Sequence, residues 1–369
     1  MPSAMVFLFD TCTSKCAYCG HATSGKVLDN TQLTPYKDRG LIDKFLSFFE
    51  KRTTQENRWL LMLLGGEPLL MPNLGYMIDR LHAVGNKASL YTSLNIGANN
   101  AAYKYLLKCD PDAVDYIMAS FHPEADEFED SFFQMMEALK TRGHKVIFRF
   151  IAHPLRLHRM EALHERCKAL DICFSPYAYC SSNYPLAYTK DDKNLIAKHT
   201  TNYSQVVQME NGLAVENLKC EAGEKLLYVN ARDGKIFPCP NVFNRAIGNI
   251  YDDHLEPKKE GQGCYDPATR CFCDINFQQN HVEDLDDSTH FEDEKRGYVE
   301  PKDHEALHQD MEKRGFAFHN KVHHGSLGEN SSDERLILSK QEVRETFEKN
   351  KAFYHGDFKK GFHKEFLKS

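Results

Sequence analysis

The chain has 369 residues, of which 41% are hydrophobic and 27% are charged, and its formal net charge at pH 7 is −7. This length is enough to bury one large hydrophobic core or two smaller ones. The negative charge argues against a protein that binds nucleic acid, because phosphate backbones are bound by an excess of Lys and Arg. No apolar run is long enough to span a bilayer, so we expect no membrane contact.

The N-terminus lacks the basic region and long apolar stretch of a signal peptide. In a cytoplasmic protein, thiols stay reduced, so the 12 cysteines of the chain are expected to be metal ligands or buried thiols. A secreted, disulfide-bonded framework is the weaker alternative. We therefore predict a cytoplasmic protein.

The first half of the chain alternates strand-like and helix-like segments, which is the pattern of βα repeats around a parallel sheet. Continuous apolar runs of this kind suit strands that are covered on both faces. Six such repeats are too few for a closed eight-stranded barrel, so the predicted fold is α/β, an open partial (β/α)6 TIM barrel. The predicted strands are Met5–Phe9, Trp59–Leu64, Ala88–Asn95, Val114–His122, Lys145–His153 and Asp171–Tyr177.

Apolar residues at helical spacing lie between these strands, and Gly85 and Gly143 stand where helix C-termini need a left-handed residue. In βα-barrel enzymes the working residues lie at the C-terminal ends of the strands. Six groups of chemically capable residues fall there in this sequence: Cys12–Cys19, Gly65–Pro68, Asn95, His122, Arg149 and Tyr177.

The stretch "CTSKCAYCGH" places Cys12, Cys16 and Cys19 at C-x3-C-x2-C spacing just after the first strand. A [4Fe–4S] cube normally takes four Cys thiolates, so three would leave one iron open. With Tyr18 before the last cysteine, the loop resembles that of the radical S-adenosylmethionine (SAM) superfamily. The resemblance implies that the open iron binds the methionine part of SAM. An electron from the cluster then cleaves the sulfonium and gives a 5′-deoxyadenosyl radical, which abstracts a substrate hydrogen atom.

The stretch "GGEP", Gly65, Gly66, Glu67 and Pro68, ends the second strand and matches the segment that seats the SAM amino group in this superfamily. Glycines let backbone approach a ligand closely, and a glutamate offers an acceptor to an ammonium group. By family position, Tyr18 would back the adenine. The same resemblance implies that residues 5–180 form the barrel.

Asn95 and Ser120, at the ends of the third and fourth strands, match positions that contact the SAM ribose and carboxylate, or they are simply polar strand ends. Arg149 shares a strand face with isoleucines and therefore needs an anionic partner, either the SAM carboxylate or a barrel carboxylate such as that of Glu67. His122 is a candidate for proton transfer or a structural histidine. A structural zinc site with His21 is the alternative use of the three cysteines.

A second cysteine set begins with Cys220, thirteen residues, Gly234, four residues and Cys239. This spacing, on a predicted hairpin Lys225–Cys239 with Asp233-Gly234 as its turn, resembles the SPASM and twitch domains, which hold auxiliary [4Fe–4S] clusters. The chain lacks the C-x2-C-x5-C-x3-C run of a full SPASM domain, so one twitch-type cluster is expected. The predicted ligands are Cys220, Cys239, Cys271 and Cys273, with Cys264 in reserve, and a four-cysteine zinc site is the alternative.

We therefore predict a barrel core over residues 1–185, an auxiliary cluster domain over 186–280 and a charged, partly helical extension over 281–369. Cys109, Cys167 and Cys173 are expected to be core thiols, and Cys180, which follows the sixth strand, is a candidate to face the cavity. Within the extension, Glu283–Arg296 is expected to be a solvated loop and Ser339–Phe353 a helix with a capping box. His304 and His308 share a helical face that is expected to be solvated. An aromatic stripe follows in the terminal segment: Phe353, Tyr354, Phe358, Phe362 and Phe366.

The expected function is a radical SAM enzyme, an oxidoreductase-type catalyst that abstracts a hydrogen atom. It would use SAM, one SAM-cleaving cluster and one auxiliary cluster, with flavodoxin or ferredoxin as electron donor. A peptide or protein side chain is the favoured substrate. The alternatives are oxidation or rearrangement of a small carbohydrate or nucleoside, and a non-catalytic iron–sulfur scaffold or electron carrier.

Overall fold

The computed structural model describes residues 1–14, 29–178, 188, 190–210, 212–215, 218–259, 262–266, 270–271, 278–279, 281–283, 285 and 288–318. The predictions for Cys16, Tyr18, Cys19, Cys180 and Cys273 lie outside these residues. So do the predicted helix Ser339–Phe353 and the terminal aromatic stripe.

All six predicted strands are present and pair in parallel, each with the next in the chain. Their order in space therefore equals their order in sequence, as in an unclosed βα array. The strands are β1 (Ser3–Phe7), β2 (Leu60–Leu64), β3 (Lys87–Thr92), β4 (Val114–Phe121), β5 (Val146–Ile151) and β6 (Cys173–Tyr177).

Helices connect these strands and continue beyond them. The described α-helices are α1 (Arg39–Glu50), α2 (Leu74–Ala83), α3 (Ala101–Leu106), α4 (Glu129–Thr141), α5 (Met160–Ala169), α6 (Lys190–Ala197), α7 (Tyr203–Met209), α8 (Ser288–Arg296) and α9 (His304–Lys313). Short 3-10 helices cover Asn30–Gln32, Thr34–Lys37, Pro68–Leu70, Pro111–Ala113, Pro123–Phe128 and Pro154–Arg159.

Local sequence explains where several helices start and stop. Asp38 caps α1 by accepting a hydrogen bond from the Gly40 N–H at 2.8 Å, and Asn100 caps α3 through the Tyr103 N–H at 2.9 Å, because short polar side chains satisfy the free N–H groups of a first turn. Gly85 and Gly143 follow α2 and α4 with φ of 79° and 105°, which confirms the predicted left-handed helix ends.

The main hydrophobic core lies between one face of the sheet and helices α1 to α5. Its sheet side consists of alternate strand residues such as Leu61, Leu63, Phe148 and Phe150, and the predicted apolar helix residues pack against them. Cys167 and Cys173 are fully buried, as predicted, and Cys109 packs half-buried at the edge of this core.

The predicted hairpin exists as β8 (Leu226–Asn230) and β9 (Lys235–Phe237), with Gly234 at a φ of 76° in its turn. Strand β8 also pairs in parallel with β1, over the register Ser3↔Leu226 to Phe7↔Asn230. The sheet therefore continues through the hairpin to β10 (Gly248–Asn249) and β11 (His254–Leu255), which gives ten strands. Strands β7 (Leu213–Ala214) and β12 (Arg270–Cys271) form a separate antiparallel pair.

The prediction that Glu283–Arg296 is a solvated loop was wrong, because helix α8 occupies most of it. Phe291, Glu294 and Lys295 of α8 are buried, at the i, i+3, i+4 spacing of one helix face. Phe291 packs edge-to-face on Tyr116 of β4, with ring centroids 5.0 Å apart. Helix α8 therefore covers the face of the sheet opposite α1 to α5.

The histidine face of α9, predicted to be solvated, is half-buried. His308 stacks on Phe318 with ring centroids 4.4 Å apart, and His304 Nδ1 lies 3.2 Å from the Thr200 hydroxyl. Both rings therefore contact protein. Within the described part of the chain, no helix combines the length and apolar character needed to cross a bilayer.

Candidate functional site

The segment that leads from the C-terminal end of β1 to Cys12 is held against the end of β2 by backbone hydrogen bonds. The Gly66 N–H donates to the Phe9 carbonyl at 2.6 Å, and the Glu67 N–H donates to the Thr11 carbonyl at 2.9 Å. These bonds fix the residues directly before Cys12.

Gly65 and Gly66 are required by this close approach. A Cβ on Gly65, whose φ is 143°, would lie 2.7 Å from the Phe9 carbonyl oxygen. A Cβ on Gly66 would lie 1.8 Å from the Thr11 carbonyl oxygen, far inside van der Waals contact. The glycines predicted to approach a ligand thus approach the backbone that carries Cys12.

Glu67 is fully buried, and its carboxylate joins the end of β2 to the end of β3. One oxygen accepts from the Thr92 hydroxyl at 2.6 Å and the Leu69 N–H at 3.0 Å. The other accepts from the Ser93 N–H at 2.9 Å and the Ser93 hydroxyl at 2.7 Å. Burial raises the pKa of Glu67, while these hydrogen bonds act in the opposite direction. Four donors fill the acceptor positions of a carboxylate, so this side chain is engaged within the protein.

Asn95 lies three residues after the end of β3, beside Ser14 of the cysteine loop. Its amide nitrogen donates to the Ser14 hydroxyl at 2.8 Å, and the Ser14 N–H lies 3.3 Å from the Cys12 sulfur. The half-buried Cys12 therefore lies between two segments, Phe9–Thr11 and Ser14, that are hydrogen-bonded to groups following β2 and β3. This places predicted residues Asn95, Gly65 and Gly66 around one loop.

Arg149 lies on the face of β5 opposite α1 to α5, in register between Ser120 of β4 and Ser175 of β6. Its guanidinium lies 4.7 Å from the ring centroid of Tyr177 and 5.5 Å from that of Tyr91. Aromatic faces of this kind stabilise a partly desolvated cation. Ser120 and Arg149, each predicted separately to contact SAM, are therefore neighbours in register across β4 and β5.

His122 follows β4, and burial, together with the charge of Arg156, lowers its pKa to about 3. The ring is therefore neutral near pH 7, and proton donation there would require a large change in its surroundings. This favours the structural interpretation of His122 over the proton-transfer one.

Four cysteines line one cavity beside the hairpin: Cys220, Cys239, Cys264 and Cys271. The rest of its wall is mainly apolar and includes Val215, Leu218, Ala222 and Val242. Cys264, which the sequence suggested only as a reserve ligand, thus lies with three of the four favoured ones. The fourth, Cys273, lies outside the described residues.

Two of the cavity cysteines, Cys220 and Cys239, have raised thiol pKa values. Burial raises the pKa of Cys239 to about 12, and the neighbouring Cys220 and Cys264 act in the same direction. Burial likewise raises the pKa of Cys220, against which the charge of Lys258 acts, and Lys258 donates a hydrogen bond to the Cys220 carbonyl. A bound metal group would have to displace the thiol protons.

Within the described residues, no three His, Cys, Asp or Glu side chains lie close enough to share one metal ion. A single zinc ion needs all four sulfurs at about 2.3 Å. A [4Fe–4S] cube binds one thiolate at each of four separate irons, so its sulfur ligands stand farther apart than those around a single ion.

Several residues that contact these sites could not be identified from the sequence. Asp10 pairs with Arg232 across 222 residues of chain, and the Tyr36 hydroxyl donates to the Leu8 carbonyl at 2.6 Å. Thr92 and Ser93, the partners of Glu67, sit inside a predicted strand. Only the strand order would have pointed to Ser93, because adjacent parallel strands end at the same edge.

No protein-family model matches the chain. A segment of 84 residues is 34% identical to GTP 3′,8-cyclase of Helicobacter pylori (strain HPAG1), which covers 23% of this chain and 24% of the cyclase. The match thus spans about a quarter of that relative.

Solved structures of SuiB and anSMEcpe are among those similar to this chain. SuiB of Streptococcus suis bound to precursor peptide SuiA aligns with a TM-score of 0.51 and 13% identity over 68% of this chain and 62% of SuiB. Native anSMEcpe with bound AdoMet and Cp18Cys peptide aligns with a TM-score of 0.47 and 11% identity over 85% of this chain and 99% of anSMEcpe. The likeness to SuiB shows a shared α/β fold, and this chain spans less than two thirds of SuiB.

Proposed function

We propose that this protein is a radical SAM enzyme. The observation that carries the proposal is the packing of the Gly65-Gly66 turn against the loop that begins the C-x3-C-x2-C sequence. A family motif after β1 and a second motif after β2 thus meet at one edge of a parallel sheet. The fold shared with SuiB supports the same assignment. As part of this proposal, the six parallel strands curve into a partial barrel.

Cys12, Cys16 and Cys19 would hold a [4Fe–4S] cluster, and the half-buried thiol of Cys12 at a polar strand end suits an iron ligand. When bound, that cluster supplies the electron that cleaves SAM. Thiolates are the form that binds iron, so the polar groups around Cys12 favour loading.

The protein's own groups would orient SAM. Because the Glu67 carboxylate is already engaged by four donors, we infer that backbone carbonyls of the Gly65–Pro68 turn accept the SAM ammonium. Ser120 and Arg149 form the row assigned to the SAM carboxylate, Asn95 is assigned to the ribose, and Tyr18 to the adenine.

Cys220, Cys239, Cys264 and Cys271 are our revised ligand set for an auxiliary cluster of twitch type, with Cys273 as the remaining candidate. The four described cysteines share one mainly apolar cavity, in which Cys239 and Cys271 are buried and Cys220 and Cys264 are half-buried. Such a cluster would bind the substrate or accept an electron from it.

We favour a peptide side chain as the substrate, and flavodoxin or ferredoxin as the electron donor. SuiB, whose fold the chain shares, was solved with a precursor peptide. The second candidate is a small nucleotide-like metabolite, which the 84-residue match to GTP 3′,8-cyclase favours.

The test is anaerobic reconstitution with iron and sulfide, followed by dithionite and SAM. The proposal predicts 5′-deoxyadenosine from the wild type and none from Cys12→Ala. An intact, reducible cluster that gives no 5′-deoxyadenosine would support a non-catalytic scaffold, and a colourless protein that holds only zinc would contradict the assignment. Precursor peptides and nucleoside triphosphates, each tested for consumption, separate the two substrate classes.

A further inference from the structure

We propose that Asp10 and Arg232 form a positioning pair that couples the cysteine loop to the hairpin carrying Cys239 and sets the reduction potential of the loop's cluster. This inference rests on the proposed function, because it concerns the iron site at Cys12, Cys16 and Cys19. Neither residue touches the reacting atoms in our proposal; both act through the cysteine loop.

The pair bridges two distant parts of the chain at one point. Arg232 Nη1 lies 2.6 Å from Asp10 Oδ2, and the side chains are 49% and 11% exposed respectively. Asp10 is also held through its own N–H, which donates to Gln32 Oε1 at 2.9 Å. A carboxylate that is largely withdrawn from water depends on its cation more than an exposed one does.

The backbone around the pair is fixed on both sides. The Ala231 N–H donates to the Phe7 carbonyl at 2.9 Å, which continues the parallel pairing of β8 with β1. The Tyr251 hydroxyl donates to the Ala231 carbonyl at 2.5 Å. Backbone hydrogen bonds therefore join the hairpin turn to the residues that lead into the cysteine loop, and the ion pair adds a side-chain link between the same two segments.

Both charges act on the buried residues around this junction. Burial raises the pKa of Tyr228, and the Asp10 carboxylate raises it further. Burial also raises the pKa of Tyr36, whereas the Arg232 guanidinium acts to lower it. Each charge therefore acts on a different buried tyrosine, although the two charges largely cancel at longer distances.

Position in the sequence connects this pair to iron chemistry. Asp10 stands two residues before Cys12, and Arg232 stands seven residues before Cys239. The potential of an iron–sulfur cluster depends on nearby charge. An uncompensated Asp10 would disfavour the added electron, and an uncompensated Arg232 would favour it. Removing either partner should therefore shift the potential in opposite directions, which loss of structural support alone would not do.

The experiment is an anaerobic redox titration of the loop cluster, followed by EPR, in protein carrying Cys239→Ala so that one cluster is observed. Arg232→Gln is expected to lower the reduction equilibrium constant about three- to tenfold, and Asp10→Asn to raise it by a similar factor. Tenfold corresponds to about 59 mV for one electron. Arg80→Gln, which breaks a similar pair with Asp43 between α1 and α2, is the matched control and should leave the potential unchanged.

Shifts of the same sign, or none, in both variants would overturn the proposal. If a single variant fails to bind iron, the exchanged variant Asp10→Arg with Arg232→Asp decides: recovered iron supports the pair, and continued loss contradicts it. A parent protein that binds no cube at all would refute the proposed function instead, so the two failures are distinguishable.

Discussion

Gly66 lies against Thr11 so closely that a methyl group on Gly66 would sit 1.8 Å from the Thr11 carbonyl oxygen. Neither backbone can yield without disrupting the hydrogen bonds that join the two segments. We predict that Gly66→Ala displaces the start of the cysteine loop and lowers the iron bound at Cys12 at least severalfold. Iron and sulfide analysis after anaerobic reconstitution in a Cys239→Ala background measures this.

The matched control is Gly263→Ala in the same Cys239→Ala background, because a Cβ there would meet nothing within 4 Å. Gly263 lines the cysteine cavity, and the background already removes the cluster proposed for that cavity. The iron bound at the loop in this control should therefore equal that of the parent. Full retention of iron in Gly66→Ala would show that the close packing of the two motifs does not position the ligands.

Cys264 shares a cavity with Cys220, Cys239 and Cys271. We predict that Cys264→Ala lowers bound iron by about four per chain, the content of one cube, as Cys239→Ala should. Cys109→Ala, at the edge of the main core, is the control and should change nothing. If Cys264→Ala retains all iron while Cys273→Ala loses it, the ligand set first expected from the sequence is the right one.

The sequence predicted the six parallel strands and the hairpin because each depends on local patterns: continuous apolar runs, and Asp233-Gly234 between two strands. It did not predict that β8 pairs with β1, because the choice of partner strand is a long-range property that no local pattern records. Cys264 was placed in reserve for a similar reason, since its spacing says nothing of which cavity it reaches.

The α8 segment was misjudged from its charge. Its Phe291, Glu294 and Lys295 do show helical spacing, but buried acids and bases resemble a solvated face until their partners are known. Lys295 Nζ lies 2.8 Å from Asp115 Oδ2, with side chains 2% and 6% exposed. That pairing, not the composition, makes the burial of α8 possible.

Lys295→Met therefore tests the burial of α8. The change leaves Asp115 buried, with the more exposed Lys87 Nζ 3.8 Å from its Oδ1, and should cost about 3–5 kcal/mol of unfolding free energy. Urea denaturation followed by circular dichroism gives this value. Lys168→Met, which removes an exposed pair with Glu300, should have little effect; equal losses in both variants would contradict the burial of α8.

His199 gives the protein a pH-dependent stability. Burial, together with the neighbouring His164, lowers its pKa to about 4 from the ordinary value of 6.5. Between these values the unfolded chain binds a proton that the folded protein does not, so stability falls as pH falls through this window.

His199→Gln should reduce the slope of the unfolding free energy against pH by up to about 1.4 kcal/mol per pH unit, which corresponds to one bound proton. Urea midpoints measured between pH 4 and pH 7 would show this. His82→Gln, at an exposed position of α2, is the control. An unchanged slope in His199→Gln would mean that this histidine is not buried in its neutral form.

The central claim is that the three-cysteine loop holds a cube with one iron open to SAM. The most direct measurement is the EPR spectrum of the reduced Cys239→Ala protein, recorded anaerobically before and after SAM is added. We predict one [4Fe–4S] signal that changes on SAM addition and is lost in Cys12→Ala with Cys239→Ala. A protein that binds no cube at these thiolates, or whose signal is indifferent to SAM, would contradict the account.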